Sequence, residues 1–301
     1  RGEVKKAVNR GPDMPPSCQQ ESSGGPFVQA LQVPALMMRD LLDLLMPTLK
    51  GNEAAQLDWL GYYMIGTGIA AFLILMFLSE AKYGRYAVGI SSLWGFPMNA
   101  KVAWVVQECP NLVLGFSNLA LTRRECIKST PNQVLMALFM VHYLNRTLAY
   151  PLMMRGSKPT PFLVFLLAFL FCLFNGHLQM RYLAYVHPYD PSWFADPRFL
   201  LGVGTFFLGL FINLDSDRIL RDLRKPGESG YKVPKGGAFR LVSGANFFGE
   251  MVEWSGFAVA QWSVPGAAFA SFTFLNLSPR GWHHHQWYKA RFKDYPAARR
   301  A

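Results

Sequence analysis

Glu108 and Tyr143 are polar side chains in stretches of sequence that are otherwise apolar. Glu108 lies near the middle of AWVVQECPNL, and Tyr143 lies near the middle of MVHYLNRTLAYP. An ionisable group at membrane depth costs about 2.5 to 3.5 kcal/mol on insertion scales, so each such group is a candidate for a functional site. A carboxylic acid and a phenol can both donate a hydrogen bond to a substrate. The alternative interpretation is that Glu108 pairs with Arg146 and that the two charges are simply buried together.

A second group of polar residues lies in INLDSDRILRDLRKPGESGY. Asn213, Asp217 and Arg224 are spaced at i, i+4 and i+11, which places all three on one side of a helix. The segment follows an apolar stretch, so this helix would leave the membrane here. A solvated helix face would explain this stripe as well as a binding site would.

The spacing in SGANFFGEMVEW is harder to explain by solvation. Asn246, Glu250 and Glu253 follow i, i+4 and i+7, and apolar and aromatic residues surround them. Two carboxylates and an amide therefore share one face of a helix that otherwise suits a membrane. Asn175 and Gln179 repeat the i, i+4 relation in another apolar stretch. These stripes predict that polar side chains from several helices converge on one enclosed site.

Two connecting segments are candidates for ligand contacts because of their composition. LRKPGESGYKVPKGGAF combines glycines and prolines with several basic residues, among them Lys232 beside Tyr231, a composition suited to phosphates. RGWHHHQWYKARF contains three consecutive histidines, but successive residues on a helix point about 100° apart and cannot all bind one ion. We therefore predict no metal site. Neither GxGxxG nor GxxxxGK[ST] is present, so a bound nucleotide would require a different scaffold.

The composition is that of a polytopic membrane protein. Of the 301 residues, 51% are hydrophobic and only 16% are charged, whereas an average soluble chain has about 25% charged residues. This composition excludes a disordered tail, a collagen-like fibre and a small disulfide scaffold. A net charge of +11 would suggest nucleic acid for a soluble protein. In a membrane protein, basic cytoplasmic loops explain it better, so we expect no nucleic-acid partner.

The apolar stretches predict an all-α integral membrane protein with seven transmembrane helices in one bundle that encloses the site. The clearest span, 59–78, has 20 residues without a charge, enough to cross a hydrocarbon core of about 30 Å. Pro265 offers a break before the last span, which leaves six spans as an alternative. The other predicted spans are 101–120, 133–152, 161–179, 198–214, 239–261 and 264–278.

Residues 1–57 form an N-terminal segment that differs from the membrane domain at 58–301. Its first part is rich in Pro, Ser, Gly, Lys and Glu and is expected to be mobile, whereas 36–49 has the pattern of an amphipathic helix. That helix would lie on the membrane or pack on the rest of the protein. Because the chain begins with Arg1 rather than Met, its natural N-terminus is expected further upstream.

The distribution of Lys and Arg predicts the orientation of the helices. With seven spans, most basic residues of the connections follow odd-numbered spans or lie in the C-terminal segment. Because cytoplasmic loops are enriched in Lys and Arg, these connections and the C-terminus are expected in the cytoplasm. The membrane would be the endoplasmic reticulum in a eukaryote and the inner membrane in a bacterium.

Four motifs carry a family resemblance: AWVVQECP, VHYLNRTLAYPLMMRG, the block from Asn213 to Trp254, and HHHQWYKARFKDYP. Together they resemble the steroid 5α-reductase family, in particular its animal steroid-reducing branch. The similarity extends from about Tyr83 to the C-terminus, and the long block is its most specific part. One departure is Leu214 followed by Asp215, where the animal enzymes have Ile and His.

The resemblance implies an NADPH-dependent enzyme that reduces the Δ4 double bond of a 3-oxo steroid. In the family, the glutamate of the QE pair and the tyrosine of the VHY motif contact the 3-oxo group; they correspond to Glu108 and Tyr143. Hydrogen bonds from these side chains would stabilise negative charge on that oxygen. The cofactor contacts of the family correspond to Asn213, Asp217, Arg224, Tyr231, Asn246, Glu250, His284 and Tyr288, with Arg146, Arg155 and Lys232 as supporting cations.

Trp104 and Phe174 are expected to line the steroid cavity, although aromatic residues of membrane helices more often face lipid or core. We expect a monomer whose partners are the steroid and membrane lipid. Alternatives within the enzyme class are reductases of polyprenols or enoyl-CoA thioesters and, more distantly, an isoprenylcysteine-type methyltransferase. A non-enzymatic sterol-binding or transport protein would leave the carboxylates Glu250 and Glu253 unexplained.

Overall fold

The computed structural model describes residues 40, 42–78, 92–121, 125–155, 157–223, 228 and 230–301. The described part is almost entirely helical, and each predicted span overlaps one long helix. The bounds are α1 Glu53–Leu73, α2 Ala100–Leu121, α3 Thr130–Leu144, α4 Phe162–Arg181, α5 Pro197–Asp222, α6 Ala245–Gln261 and α7 Val264–Arg291.

Three of these helices are long and apolar enough to cross a membrane by length and composition: Glu53–Leu78, Phe162–Val186 and Pro197–Asp222. Many large apolar side chains on the helices point outwards, among them Phe77, Phe207 and Phe211. Such extensive apolar exposure suits lipid rather than water. The structure is therefore that of an all-α membrane protein.

Two helix ends differ from the sequence prediction. The span predicted at 239–261 begins later, because 237–240 form a 3-10 turn and α6 starts at Ala245. The last helix continues past 278 to Arg291. Pro265 lies in the first turn of α7, where its missing N–H and fixed φ are compatible with a helix start. The chain breaks just before it, at Trp262 and Ser263, between the end of α6 and the start of α7.

The predicted amphipathic helix at 36–49 lies partly outside the described residues, and the segment 1–39 lies wholly outside them. Residues 42–45 are helical, and Pro47–Leu49 form a 3-10 turn. Leu42 and Met46 are buried, whereas Leu44 and Leu45 are exposed. The described portion therefore packs one apolar side on the bundle.

Side-chain caps and prolines fix where several helices begin. Asn52 accepts a hydrogen bond from the Ala55 amide at 3.1 Å at the start of α1. Asp196 caps α5 by accepting from the Arg198 amide at 2.8 Å, and hydrogen bonds from Arg198 hold the pKa of the Asp196 carboxyl at about 2. Ser263 caps α7 through the Gly266 amide at 3.2 Å.

Three helices end in π-helical turns: α1 at Ile74–Leu78, α3 at Asn145–Ala149 and α4 at Tyr182–Val186. After its π turn, α3 continues as Tyr150–Met153. Such turns are rare and often occur at functional sites. The π turn of α3 contains Arg146, one of the predicted site residues.

Helices α5 and α6 approach each other closely through glycines. A Cβ added at Gly209 would lie 2.1 Å from the backbone nitrogen of Glu253. One added at Gly249 would lie 2.5 Å from the backbone nitrogen of Asn213. Real atoms cannot be so close, so only glycine permits this contact, and the polar stripes of both helices are brought together. Equally close contacts occur at Gly202 and Gly256.

A short antiparallel ribbon joins two connections. β1, Pro97–Met98, pairs with β2, Thr160–Pro161, with Pro97 opposite Pro161. The connections that lead into α2 and α4 are therefore held together, and these helices are the ones that carry Glu108 and Asn175.

The connection between α4 and α5 is anchored by buried hydrogen bonds. Asn132 donates to the carbonyl oxygens of Leu183 and His187, both at 2.7 Å. The Trp193 indole donates to the carbonyl oxygen of Ala260 at 3.0 Å, and the Tyr189 hydroxyl donates to that of Gln261. These bonds lie beside the start of α5, at the opposite end of the bundle from its C-terminal end.

Candidate active site

The two predicted catalytic side chains both contact α4. The Cys172 thiol donates to Glu108 Oε2 at 3.4 Å, and Asn175 Nδ2 donates to the Tyr143 hydroxyl at 3.4 Å. Because Cys172 and Asn175 are three residues apart, they lie on one face of α4. The alternative pairing of Glu108 with Arg146 is not formed: Arg146 contacts carboxylates on α5 and α6 instead.

Local structure in α2 orients Glu108. Gln107 Nε2 donates to Glu108 Oε1 at 3.4 Å. Pro110 lies inside the helix and cannot donate to the carbonyl of Val106, so that oxygen is available to another donor. The Cys109 thiol takes this place at 3.2 Å. The helix therefore continues past Pro110 without leaving that carbonyl unpaired.

Arg146 joins three helices at the site. Its guanidinium lies 3.4 Å from Asp217 Oδ2 on α5 and 3.6 Å from Glu250 Oε1 on α6. It also lies over two aromatic rings, 4.8 Å from the centroid of Trp104 and 4.6 Å from that of Tyr150. Paired carboxylates and stacked rings together fix its plane and position.

The two predicted polar stripes meet between α5 and α6. Asn213 is fully buried, and its Nδ2 donates to the backbone oxygen of Asn246 at 3.1 Å and to Glu250 Oε1 at 3.3 Å. Asp217 lies one turn further along α5 and reaches the same arginine as Glu250. Asn213, Asp217, Glu250 and Arg146 therefore form one polar cluster.

Glu253 points to a different partner. It is fully buried, and its Oε1 lies 2.8 Å from His142 Nδ1 on α3. The His142 ring also contacts the rings of Tyr143 and Trp254 edge to face. This pair therefore links α3 to α6 next to the ring of the predicted catalytic tyrosine.

Two predicted cofactor residues belong to an aromatic group near the end of α7. Tyr288 is buried and stacks on Tyr295 with centroids 5.5 Å apart. Tyr231 lies edge to face with Trp287 at 4.9 Å. The connection that leaves α5 therefore packs against the last turns of α7.

The C-terminal segment holds this region in place. Ser243 Oγ lies 2.7 Å from His285 Nδ1 and 2.6 Å from the Tyr295 hydroxyl. Arg299 is buried, and its guanidinium donates to the carbonyl oxygen of Pro234 at 2.7 Å. The connection between α5 and α6 is thereby tied to α7 and to the chain end.

Two of the other predicted cofactor cations lie at the surface. Arg155 is exposed and lies 3.8 Å from Asp222. Lys232 is exposed and pairs with Glu228. Arg224 lies outside the described residues. Arg155 and Lys232 share the end of the bundle with the polar cluster but do not contact it in the described part.

The three consecutive histidines turn towards three different neighbours. His283 Nε2 lies 2.7 Å from the carbonyl oxygen of Leu75, and the His284 ring lies 5.2 Å from that of Phe247. His285 faces the C-terminal segment. Within the described ranges, no three His, Cys, Asp or Glu side chains are grouped as ligands for a metal.

The predicted steroid-lining aromatics are separated. Trp104 packs against Tyr150 and Arg146, on the side of the polar cluster. Phe174 lies edge to face with Tyr63 of α1 at 6.2 Å. Trp104 therefore lies beside the predicted site residue Arg146, whereas the Phe174 ring packs towards α1.

The polar cluster has unused hydrogen-bonding capacity that suits a nucleotide. Asn213 Oδ1 and Ser216 Oγ are buried and have no hydrogen-bond partner among the described residues. They lie three residues apart on α5, and Asn213 also donates to Glu250, the carboxylate that pairs with Arg146. Leaving such atoms unsatisfied costs about 1 to 3 kcal/mol each, which a bound ligand with amide or hydroxyl groups would recover. The residues present therefore fit a cofactor with those groups.

The sequence did not indicate the contact of Cys172 with Glu108 or the pairing of His142 with Glu253. A usable signal existed for Cys172, which is three residues before Asn175 and shares its helix face. No comparable signal exists for His142, because its partner lies 111 residues away.

Comparison with known proteins agrees with the motifs. A family model described as 3-oxo-5-alpha-steroid 4-dehydrogenase matches residues 158–301. The chain is 47% identical over 250 residues to 3-oxo-5-alpha-steroid 4-dehydrogenase 1 of Bos taurus, an alignment that covers 82% of this chain and 96% of the relative. The human protein of that name is 47% identical over 248 residues, covering 82% and 94%. 3-oxo-5-alpha-steroid 4-dehydrogenase 2 of Rattus norvegicus is 47% identical over 230 residues, covering 76% and 89%. The chain therefore belongs to the 3-oxo-5-alpha-steroid 4-dehydrogenase family of oxidoreductases.

Proposed function

We propose that this protein reduces the Δ4 double bond of 3-oxo-Δ4 steroids to 5α-dihydrosteroids with NADPH. Family membership implies a nicotinamide cofactor in general, and the choice of NADPH is part of the proposal. The observation that carries the proposal, besides the family, is that Glu108 and Tyr143 lie against one face of α4, and that Arg146 of the polar cluster follows Tyr143 by three residues.

Tyr143 and Glu108 would act on the 3-oxo group. An isolated alkene does not accept hydride, but an alkene conjugated to a carbonyl does if negative charge on the oxygen is stabilised. Tyr143 would donate a hydrogen bond to that oxygen, and Glu108 would either donate as well or hold the tyrosine in place. Fixed donors act strongly in an enclosed site because they need no reorganisation as the charge develops.

The polar cluster would hold the cofactor. Asn213 and Glu250 offer amide and carboxylate groups, and Arg146 supplies a fixed positive charge between two carboxylates. When bound, NADPH would supply the hydride that adds to C5, and the resulting enolate would take a proton at C4. The cluster orients the bound ring and excludes water from it. The family correspondences add Tyr231, Asn246, His284 and Tyr288 to the residues proposed to contact the cofactor.

The arrangement suits two ligands of different solubility. The proposed cofactor residues lie at the end of the bundle that the Lys and Arg distribution predicts to be cytoplasmic. Glu108 and Tyr143 lie deeper, within apolar helices. We therefore propose a protein with seven transmembrane helices and a cytoplasmic C-terminus, in which the cofactor enters from the cytoplasm and the steroid from lipid.

Incubation of purified protein with NADPH and testosterone or progesterone tests the proposal. The expected product is the 5α-dihydrosteroid, with NADPH oxidised in equal amount. Tyr143→Phe is expected to reduce the rate about 100- to 1000-fold with little change in NADPH affinity. Methyl transfer from S-adenosylmethionine, or turnover of enoyl-CoA or polyprenol but not of steroid, would instead support one of the alternatives.

A further inference from the structure

A chain of buried amides leads to the Tyr143 hydroxyl. Gln179 Nε2 donates to Asn175 Oδ1 at 3.2 Å, and Asn175 Nδ2 donates to the tyrosine oxygen at 3.4 Å. Gln179 Nε2 also donates to the backbone oxygen of Pro265 at 2.8 Å. Both amides are fully buried and lie one turn apart on α4.

The direction of this chain is determined at the Pro265 carbonyl. A carbonyl oxygen only accepts, so Gln179 must turn its NH₂ group towards it. The opposite amide orientation would place Gln179 Oε1 against the carbonyl oxygen and is therefore unfavourable. With two hydrogens on one nitrogen, Gln179 also donates to Asn175 Oδ1. Asn175 must then present its own NH₂ group to Tyr143.

This polarity determines what the tyrosine can do. A hydroxyl has one proton and can accept as well as donate. Since Asn175 donates to the Tyr143 oxygen, the hydroxyl proton is not used on α4 and remains for another acceptor. The ring itself is fixed by Phe139, with centroids 4.6 Å apart, and by His142 at 5.1 Å. The remaining freedom is rotation of the O–H bond, and the amide bond limits it.

We propose that Asn175 and Gln179 are positioning residues that make Tyr143 an acceptor towards α4 and a donor towards the 3-oxo oxygen. The inference rests on the proposed function, because it assigns the use of the tyrosine proton in that reaction. Polarisation along a hydrogen-bond chain also strengthens its last member, so each amide increases the ability of Tyr143 to donate. Neither amide touches the reacting atoms.

Asn175→Leu tests the role of the first amide. The substitution keeps the branching and the number of heavy side-chain atoms and removes the donor, so the Tyr143 proton is free to turn away from the steroid. Turnover is expected to fall about 10- to 100-fold, the range for a hydrogen bond that supports a developing charge. NADPH affinity should stay within about twofold of wild type. Asn118→Leu is the matched control, because Asn118 is a helix amide that donates to the Leu114 carbonyl, and its turnover should be unchanged.

A double-mutant cycle separates positioning from general packing. In a Tyr143→Phe background there is no hydroxyl to orient, so adding Asn175→Leu should lower single-turnover rates less than about twofold further. If the two losses multiply instead, Asn175 acts independently of the tyrosine and the inference is wrong. Should Asn175→Leu fail to fold, Gln179→Met gives the same comparison, because Asn175 then keeps its place but loses the partner that orients it.

The carbonyl stretch of a bound 3-oxo steroid gives a readout other than activity. Hydrogen bonding lowers this infrared frequency, so the bound wild-type value should lie below that of Tyr143→Phe. Asn175→Leu should shift it towards the Tyr143→Phe value, and Asn118→Leu should not. An unchanged frequency in Asn175→Leu would overturn the inference. Wild-type protein that binds or reduces no 3-oxo steroid would instead refute the proposed function before any variant is compared.

Discussion

Arg146 has the most demanding environment of the site residues, because its guanidinium contacts two carboxylates and two aromatic rings at once. A lysine ammonium can neither stack in this way nor reach both acids. We predict that Arg146→Lys weakens NADPH binding at least about tenfold, as measured by quenching of protein fluorescence.

Arg198 provides the control for this prediction. It pairs with Asp196 and lies over the rings of Trp193 and Trp262, but at the opposite end of α5. Arg198→Lys should leave NADPH affinity unchanged. Equal losses in both variants would mean that the effect is one of general stability and not of a cofactor site.

The His142–Glu253 pair is predicted to contribute to stability. Leaving a buried hydrogen-bonding group without its partner typically costs about 1 to 3 kcal/mol, and removing Glu253 would leave His142 in that state. Glu253→Ala should therefore lower the thermal unfolding temperature in detergent strongly, whereas Glu253→Gln, which keeps a hydrogen-bonding oxygen, should lower it less. Similar stability of both variants would contradict this role.

The sequence indicated polar residues of the candidate site, but it did not indicate their partners. Glu108 and Tyr143 are recognisable because polar groups in apolar stretches are expensive. Whether Glu108 meets Arg146 or Cys172 depends on the rotation and register of three helices, which local spacing does not determine. For that reason the Glu108–Arg146 alternative could not be decided before the structure.

Between elements, the contact of α5 with α6 depends on glycine. At Gly209 an added methyl group would lie 2.1 Å from the Glu253 nitrogen, whereas at Gly204, on the same helix, it would meet nothing within 4 Å. Gly209→Ala is therefore predicted to destabilise the protein by about 1 to 3 kcal/mol or more and to separate the two polar stripes.

Gly204→Ala is the matched control, since alanine favours the helix at an uncrowded site. It should leave the unfolding temperature unchanged or raise it slightly, and steroid turnover should be retained. Loss of stability in Gly204→Ala comparable to that in Gly209→Ala would show that crowding against α6 is not the cause.

The presence of each helix was predictable from the length of its apolar stretch, but the residues at which the helices begin and end were not. The sequence placed a span from residue 239, although Gly236 and Gly237 adopt positive φ angles of 94° and 46° and delay α6 to Ala245. The π turn that contains Arg146 gives no apolar signal either. Both features depend on backbone conformation and on contacts with other helices, which hydrophobic patterns do not encode.

For the molecule as a whole, the two ends of the bundle should face different compartments. Ser192 lies in the exposed connection between α4 and α5, and Lys235 lies exposed in the basic connection between α5 and α6. In single-cysteine variants, we predict that a membrane-impermeant maleimide applied to the cytoplasmic face of sealed vesicles labels Lys235→Cys and not Ser192→Cys. Labelling of both from the same face would contradict the orientation.

The position of transferred hydrogen tests the central claim most directly. With NADPH deuterated at the transferable position of the nicotinamide, wild-type protein should place deuterium at C5 of a 3-oxo-Δ4 steroid. A matched Δ4 steroid without the 3-oxo group should not be reduced, because Tyr143 and Glu108 would have no oxygen on which to stabilise charge. Deuterium at C4, or equal turnover of the steroid that lacks the 3-oxo group, would contradict the account.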